Sequence, residues 1–256
     1  MKNNRVYEMA LASIFSAIIL VMALVPQIGF VTILPGVSIT LVHIPTLIGI
    51  FILPKRYALL MGAMFGVGSW FASFLYGASP FDLAFNYPWI SVLPRILFAA
   101  AAFYIFKGLS QLESKVKHGD TLVFGVVSLI TLFAIYYGSQ AIVMMTGANA
   151  SILTPFALLI AGLFLSYYYY FIQKSAKKQV LLPSAIILST VAHTILVLGT
   201  VYIFSPAVFI DTFGTSRSVL GWLYAIAMTN GLIEALVAVL VATPIISALN
   251  QLESRR

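Results

Sequence analysis

One charged residue interrupts an otherwise apolar stretch, "SVLPRILFAA" at residues 91–100. A charged side chain at the centre of a membrane helix costs about 2.5–3.5 kcal/mol on insertion scales, so an arginine kept there suggests a function. Arg95 follows Pro94, and proline is favoured in the first turn of a helix, where free N–H groups and the helix dipole attract anions. The guanidinium adds a planar fork of donors suited to a carboxylate or phosphate. We therefore predict an anion site at Arg95; the alternative is a side chain that extends to the membrane interface.

Four more polar residues fall in other apolar segments. Glu234 in "TNGLIEALVAVL" is the second buried charge, and Asn230 lies four residues earlier, on the same helix face. His193 lies in "STVAHTILVLG" and His43 in "LVHIPTL". Taken singly, a histidine in such a segment is more often a packing residue whose hydrogen bonds are satisfied than a ligand. An asparagine such as Asn230 more often forms a hydrogen bond to a neighbouring helix. Their convergence in the outer half of the membrane favours a substrate cavity.

The two buried charges are not expected to pair directly. Arg95 lies about four residues from the outer end of its segment and Glu234 about 14 residues from the outer end of its own, so at ~1.5 Å per residue their depths differ by about 15 Å. We expect each to have its own partner, a water-filled cavity or, for the acid, a bound proton.

The composition identifies the kind of protein that positions these groups. Of the 256 residues, 61% are hydrophobic and 8% are charged, whereas soluble domains carry about 25% charged residues. The chain is therefore predicted to be an all-α, polytopic membrane protein forming a single membrane domain. The net charge of +7 does not indicate nucleic-acid binding, because the basic residues cluster in short loops between apolar segments.

Eight apolar segments are predicted to span the membrane, with both termini cytoplasmic. They cover residues 6–25, 39–53, 57–76, 91–108, 121–145, 155–172, 180–204 and 219–248. With this division, twelve of the 14 basic residues lie on the cytoplasmic side, as the positive-inside rule requires: Lys2, Arg5, Lys55, Arg56, Lys107, Lys115, Lys117, Lys174, Lys177, Lys178, Arg255 and Arg256. Residues 1–25 are expected to be a retained first helix rather than a cleaved signal peptide.

Two loops on the predicted outer side are expected to fold back and cover part of the protein. Residues 26–38, "PQIGFVTILPGVS", are uncharged and apolar, and residues 77–90 are rich in proline and aromatic residues. A merely solvated loop should be more polar, so we expect both to fold back over the protein. The alternative is that they lie flat at the lipid interface.

Small residues recur at helical spacing in two segments. Ala12 and Ser16, and Ser13 and Ala17, form pairs in the first segment, and Gly62 and Gly66 form a pair in "LMGAMFGVGSWFAS". Small faces let helix backbones approach closely. The simpler interpretation is that these small residues pack against other helices of the same chain. The more specific interpretation is that they form a docking face for another membrane subunit.

Several function classes lack their motifs. The chain has no cysteine, which excludes disulfides and thiolate metal sites. It has no GxxxxGK[ST] phosphate loop, no GxSxG and no HExxH. We expect no enzyme, no cofactor and no metal site.

The chain resembles the substrate-binding (S) components of energy-coupling-factor (ECF) vitamin transporters, especially the pantothenate-type branch. The stretches that carry the resemblance are "ALASIFSAIILVMALVP", "LVHIPTLIGIFILPKRYALLMGAMFGVGSW", "SPF", "SVLPRIL", "HTILVLG" and "TNGLIEALVAVLVATPII", within residues 10–108 and 180–248. The resemblance implies a six-helix core in the bacterial cell membrane that binds a vitamin from outside. It also implies docking on a transmembrane scaffold subunit driven by two cytosolic ATPases. Here the core would be 1–117 and 180–256, with a helical hairpin inserted at about 118–179, and His193 stands where the family pattern suggests asparagine.

The resemblance also implies roles for particular residues. Arg95 would hold the ligand's carboxylate, and Asn86, His43, His193 and Asn230 would bind its polar body. Phe81, Phe85 and Trp89 would help to close a lid, and Glu234 would orient polar groups or couple closure to docking. Docking would use Ala12, Ser13, Ser16 and Ala17. Open alternatives are another water-soluble vitamin (folate or riboflavin), a stand-alone proton-coupled carrier that relays protons through Glu234 and His193, and an assembly protein without transport.

Overall fold

A computed structural model describes residues 2–34, 37–116, 118–174 and 181–254. Five basic residues used for the orientation lie outside this described part: Lys117, Lys177, Lys178, Arg255 and Arg256. The last residues of the predicted hairpin, 175–179, lie outside it as well.

Helices make up most of the described chain. They are α1 (Lys2–Leu24), α2 (His43–Ile52), α3 (Lys55–Tyr76), α4 (Pro80–Leu83), α5 (Pro88–Lys115), α6 (Gly119–Thr146), α7 (Ala150–Lys174), α8 (Leu182–Phe204), α9 (Ala207–Phe213), α10 (Val219–Ile226) and α11 (Leu232–Ser254). A 3-10 turn, Ala84–Asn86, follows α4, and a π-helical turn, Ala227–Gly231, joins α10 to α11.

Within the described residues, seven helical stretches are long and apolar enough to cross a membrane, so the chain is a polytopic membrane helix bundle. The last of them, Val219–Leu252, includes α10, the π-turn and most of α11. The helix α2 has only ten residues, or about 15 Å, half the ~30 Å of a hydrocarbon core.

The short helix α2 nevertheless carries the chain from one end of the bundle to the other. At one end Arg56 Nη2 of α3 lies 2.9 Å from Glu8 Oε2 of α1. At the other end the Tyr76 hydroxyl of α3 donates to the Ala23 carbonyl of α1. The helices α1 and α3 therefore run parallel, and the segment between them must return to the Arg56 end before α3 begins.

A β-hairpin covers part of that return and departs from the predicted all-α class. Strand β1 (Phe30–Leu34) pairs antiparallel with β2 (Val37–Thr40), with Phe30 opposite Thr40 and Thr32 opposite Ser38. The strands come from "FVTIL" and "VSIT", whose β-branched residues pack well on a pleated surface. The segment predicted to be helical from residue 39 therefore becomes helical only at His43. We call the end of the bundle that carries this hairpin the hairpin end.

Glycines bring α3 and α5 into close contact. A Cβ added at Gly62 would lie 2.5 Å from both the Ala99 Cβ and the Arg95 carbonyl oxygen, and one added at Gly66 would lie 2.7 Å from the Val92 Cα. Internal packing therefore explains this glycine pair. In α1 the two small pairs separate: Ala12 is buried and Ser16 half-buried, whereas Ser13 and Ala17 are exposed.

The helices α6 and α7 form the hairpin predicted as an insert. The membrane-spanning part of α7 is only 11% buried, so it lies at the periphery. By contrast, α6 packs against α10, the π-turn and α8.

We expect Gly62→Ala to lower the free energy of unfolding by about 1–3 kcal/mol, because its new methyl group overpacks the α3–α5 contact. The matched control is Gly108→Ala on α5, where a Cβ meets nothing within 4 Å. Thermal unfolding in detergent measures both. Equal melting temperatures for the two variants would contradict the close contact.

Candidate functional site

A cavity of about 220 Å³ lies at the hairpin end, inside the bundle. Its wall comes from the β-hairpin, α3, the α4 region, α5, α8 and the last span. Residues of both outer loops line it, Gln27 and Phe30 from the first and Phe81 and Phe85 from the second. The prediction that these loops fold back over the protein is therefore confirmed.

Arg95 is a wall residue of this cavity and is 3% exposed. Its position depends on Pro94, which is not in the first turn as predicted, because α5 begins at Pro88. A proline has no N–H, so the carbonyl of residue i−4 loses its helical partner. That carbonyl belongs to Ile90, and Arg95 Nη1 donates to it at 2.9 Å. The Pro-Arg pair thus explains how the guanidinium is fixed.

Two aromatic rings contact the Arg95 guanidinium. Its Cζ lies 4.8 Å from the Phe85 ring centroid and 5.5 Å from that of Phe65, distances that allow cation–π attraction. The Arg95 Nε is buried and has no hydrogen-bond partner among the described residues. The group therefore keeps donor capacity for an anion in the cavity.

Glu234 and His193 lie next to each other in another part of the cavity wall. Glu234 Oε2 lies 4.0 Å from His193 Nδ1, and both side chains are almost fully buried. This separation is too long for a hydrogen bond, and neither ring nitrogen of His193 has a partner in the described chain. A hydroxyl group or a water molecule placed between them can bond to both.

Asn230 and Glu234 hold the free edge of the β-hairpin. Asn230 Nδ2 donates to the Ser38 carbonyl at 3.1 Å, and Glu234 Oε1 accepts from the Thr40 N–H at 2.7 Å. Thr40 lies opposite Phe30 while the neighbouring Leu41 N–H bonds to the Gly29 carbonyl. In an antiparallel pair the hydrogen-bonded positions alternate, so Ser38 and Thr40 point their backbone groups away from β1. Two side chains of the last span therefore take the place of a third strand.

His43 supports the site from behind the wall. It is fully buried, its Nδ1 lies 2.6 Å from the Thr40 carbonyl oxygen, and its ring stacks on that of His193 at 5.8 Å between centroids. It does not line the cavity.

The predicted lid residues fall in different places. Phe81 and Phe85 line the cavity and their rings pack edge to face. Trp89 lies outside the lining, 47% exposed, with its ring stacked on Tyr87. Asn86 also lies outside it and contributes its carbonyl oxygen, which accepts from Trp70 Nε1 at 2.8 Å.

Arg95 and Glu234 line the same cavity although a large difference in depth was expected. One contribution is that α5 begins at Pro88 rather than near residue 91, which puts Arg95 three residues, or about 4.5 Å, deeper than expected. No ion pair joins the two side chains within the described residues.

Sequence reasoning missed polar lining residues of α3, of the hairpin and of the segment before the hairpin: Gln27, Thr32, Ser38, Thr40, Ser69 and Ser73. For the hairpin residues a signal existed, because "FVTILPGVSIT" places β-branched runs on both sides of Pro35-Gly36, a turn dipeptide.

Comparison with models of protein families finds no match for this chain, and comparison with curated proteins finds none.

We expect Glu234→Ala to free the hairpin edge, because the Thr40 N–H loses its acceptor. Hydrogen bonds to charged groups contribute about 1.5–3 kcal/mol, so amide exchange of Thr40 should rise at least about tenfold. Hydrogen–deuterium exchange of segment 37–41 measures it. Glu234→Gln keeps an acceptor oxygen and should remain protected; equal exchange in both variants would show that this bond does not hold the hairpin.

Proposed function

We propose that this chain is the membrane-embedded substrate-binding subunit of an ECF-type vitamin importer and that it captures pantothenate from outside. One observation carries the proposal: a cavity of about 220 Å³ inside the bundle contains a buried guanidinium with unused donor capacity and no ion-pair partner among the described residues. A ligand carboxylate completes that arrangement through charge-assisted hydrogen bonds, which are about twice as strong as neutral ones.

The rest of the lining suits a small ligand with hydroxyl and amide groups. Ser69, Ser73 and Thr194 offer hydroxyl groups, and a ligand hydroxyl beside Glu234 and His193 could bond to both side chains. Pockets for drug-sized ligands measure about 300–1,000 Å³, so the volume of this cavity is small. It favours pantothenate, which has no ring, over folate and riboflavin, which carry fused ring systems.

The proposal includes a topology and partners. Counting α2 with the seven long helices gives eight spans in the cell membrane of a bacterium, with cytoplasmic termini and the cavity open to the outside. The exposed half of the small-residue face, Ser13 and Ala17, would contact a transmembrane scaffold subunit, while Ala12 and Ser16 pack inward. Two cytosolic ATPases would drive uptake through that scaffold.

One observation favours a second candidate, a stand-alone proton-coupled carrier. Glu234 and His193 are buried 4.0 Å apart, and paired acid and imidazole groups in a membrane can relay protons.

A thermal-shift panel with pantothenate, folate, riboflavin, thiamine, biotin and pyridoxine tests the ligand. We expect pantothenate to stabilise the purified protein, by about 2.7 kcal/mol at 100 times its Kd. Arg95→Gln should abolish this shift, whereas Lys107→Gln, an exposed position on the same helix, should retain it. Stabilisation of both variants to the same extent would rule out the anion site.

Uptake in cells separates the importer from the carrier. The importer should accumulate labelled pantothenate only when a scaffold subunit and two ATPases of an ECF module are co-expressed. A carrier would work alone and would stop when a protonophore collapses the proton gradient.

A further inference from the structure

The inserted hairpin α6–α7 contacts the last span at the π-turn. Gly138 of α6 is buried, and a Cβ added there would lie 2.7 Å from the Met228 carbonyl oxygen and 2.8 Å from Leu232 Cδ2. Real Cβ atoms are essentially never that close to a backbone atom. Only a glycine therefore lets α6 lie directly on the backbone of the π-turn.

The π-turn also packs against α8. A Cβ added at Gly231 would lie 2.9 Å from Thr194 Oγ1 of α8. The π-turn is thus in contact with both α6 and α8, and π-turns inside α-helices occur frequently at functional sites.

A second contact ties α6 to the start of α10. The Arg217 guanidinium, two residues before α10, donates to the Met144 carbonyl near the end of α6. The helix α7 is hydrogen-bonded to the same end of α6, since Gln140 Nε2 donates to Thr154 Oγ1 at 3.0 Å. The insert therefore holds α10 near its beginning, through Arg217, and beyond its end, through Gly138.

The segment held in this way carries the anchors of the β-hairpin. Asn230 lies within the π-turn and donates to the Ser38 carbonyl, and Glu234 follows one turn later and accepts from the Thr40 N–H. A displacement of the π-turn backbone would move both side chains away from β2, and β2 forms part of the cavity wall.

We propose that the inserted hairpin α6–α7 is a brace that fixes the π-turn and thereby keeps the β-hairpin closed over the cavity, with Gly138 as its main positioning residue. The brace itself depends only on these contacts; its effect on ligand affinity rests on the proposed function.

Cysteine labelling tests the brace without a ligand. The chain contains no cysteine, so Ser73→Cys places a single thiol at a cavity-lining position that is 7% exposed. In this background we expect Gly138→Ala to raise the rate of labelling by a membrane-impermeant maleimide at least about tenfold. The matched controls are Gly125→Ala on α6 and Gly162→Ala on α7, where a Cβ meets nothing within 4 Å.

Two outcomes would overturn the brace. One is a lower melting temperature for Gly138→Ala with labelling at the parent rate, which is the result of a merely structural contact. The other applies if Gly138→Ala does not fold. Arg217→Met removes the hydrogen-bond donor without overpacking, and Arg217→Lys keeps a donor for the Met144 carbonyl; the brace is then overturned if Arg217→Met labels no faster than Arg217→Lys.

A third measurement, on chains with Ser73 intact, links the brace to binding. Labelled pantothenate should dissociate faster from Gly138→Ala than from either control. If pantothenate binds none of these proteins, the proposed function fails while the labelling rates still decide the brace.

Discussion

A guanidinium buried in an apolar bundle is the constraint on which the site depends. Removing a charge from water is costly, and the structure offsets only part of that cost. Arg95 has the Ile90 carbonyl, which Pro94 leaves free, and the faces of Phe65 and Phe85. These groups compensate the charge only weakly, and no carboxylate lies within ion-pair distance in the described chain. An anionic ligand is the partner that we propose for this arrangement.

A second constraint shapes the rest of the hairpin end. Inside a membrane no water is available to satisfy a free strand edge, so its backbone groups need partners from the protein. Asn230 and Glu234 supply them, which is why two residues that look like ligands for a substrate act first as anchors for β2. Glu234 keeps one oxygen directed at His193. The same carboxylate can therefore hold the hairpin and contact a ligand.

The sequence predicts the helices of this protein well and its irregular parts poorly. Long apolar runs are sufficient to place the spans, and the Gly62–Gly66 pair already indicates close helix packing. The sequence predicts an anion site at Arg95 in the first turn after Pro94, and the position relative to the helix start is wrong. A helix can begin at either proline, Pro88 or Pro94, and tertiary contacts decide which.

The π-turn and the anchoring of the β-hairpin could not be predicted in the same way. The anchoring joins residues nearly 200 positions apart, such as Thr40 and Glu234, and the π-turn contacts Gly138, about 90 positions before it. Periodicity within a segment does not reveal such contacts. The insert illustrates the same limit. Its apolar segments predict two helices, whereas the contact of Gly138 with the π-turn is visible only in three dimensions.

Equilibrium binding of pantothenate and pantothenol tests the central claim most directly. Pantothenol replaces the carboxylate of pantothenate with a neutral hydroxymethyl group and leaves the remainder unchanged. If Arg95 holds the carboxylate, pantothenate binds at least about tenfold more tightly, since hydrogen bonds between charged groups contribute about 1.5–3 kcal/mol. This preference should disappear in Arg95→Gln. Equal affinities of the unmodified protein for the two compounds would contradict an anion site at Arg95.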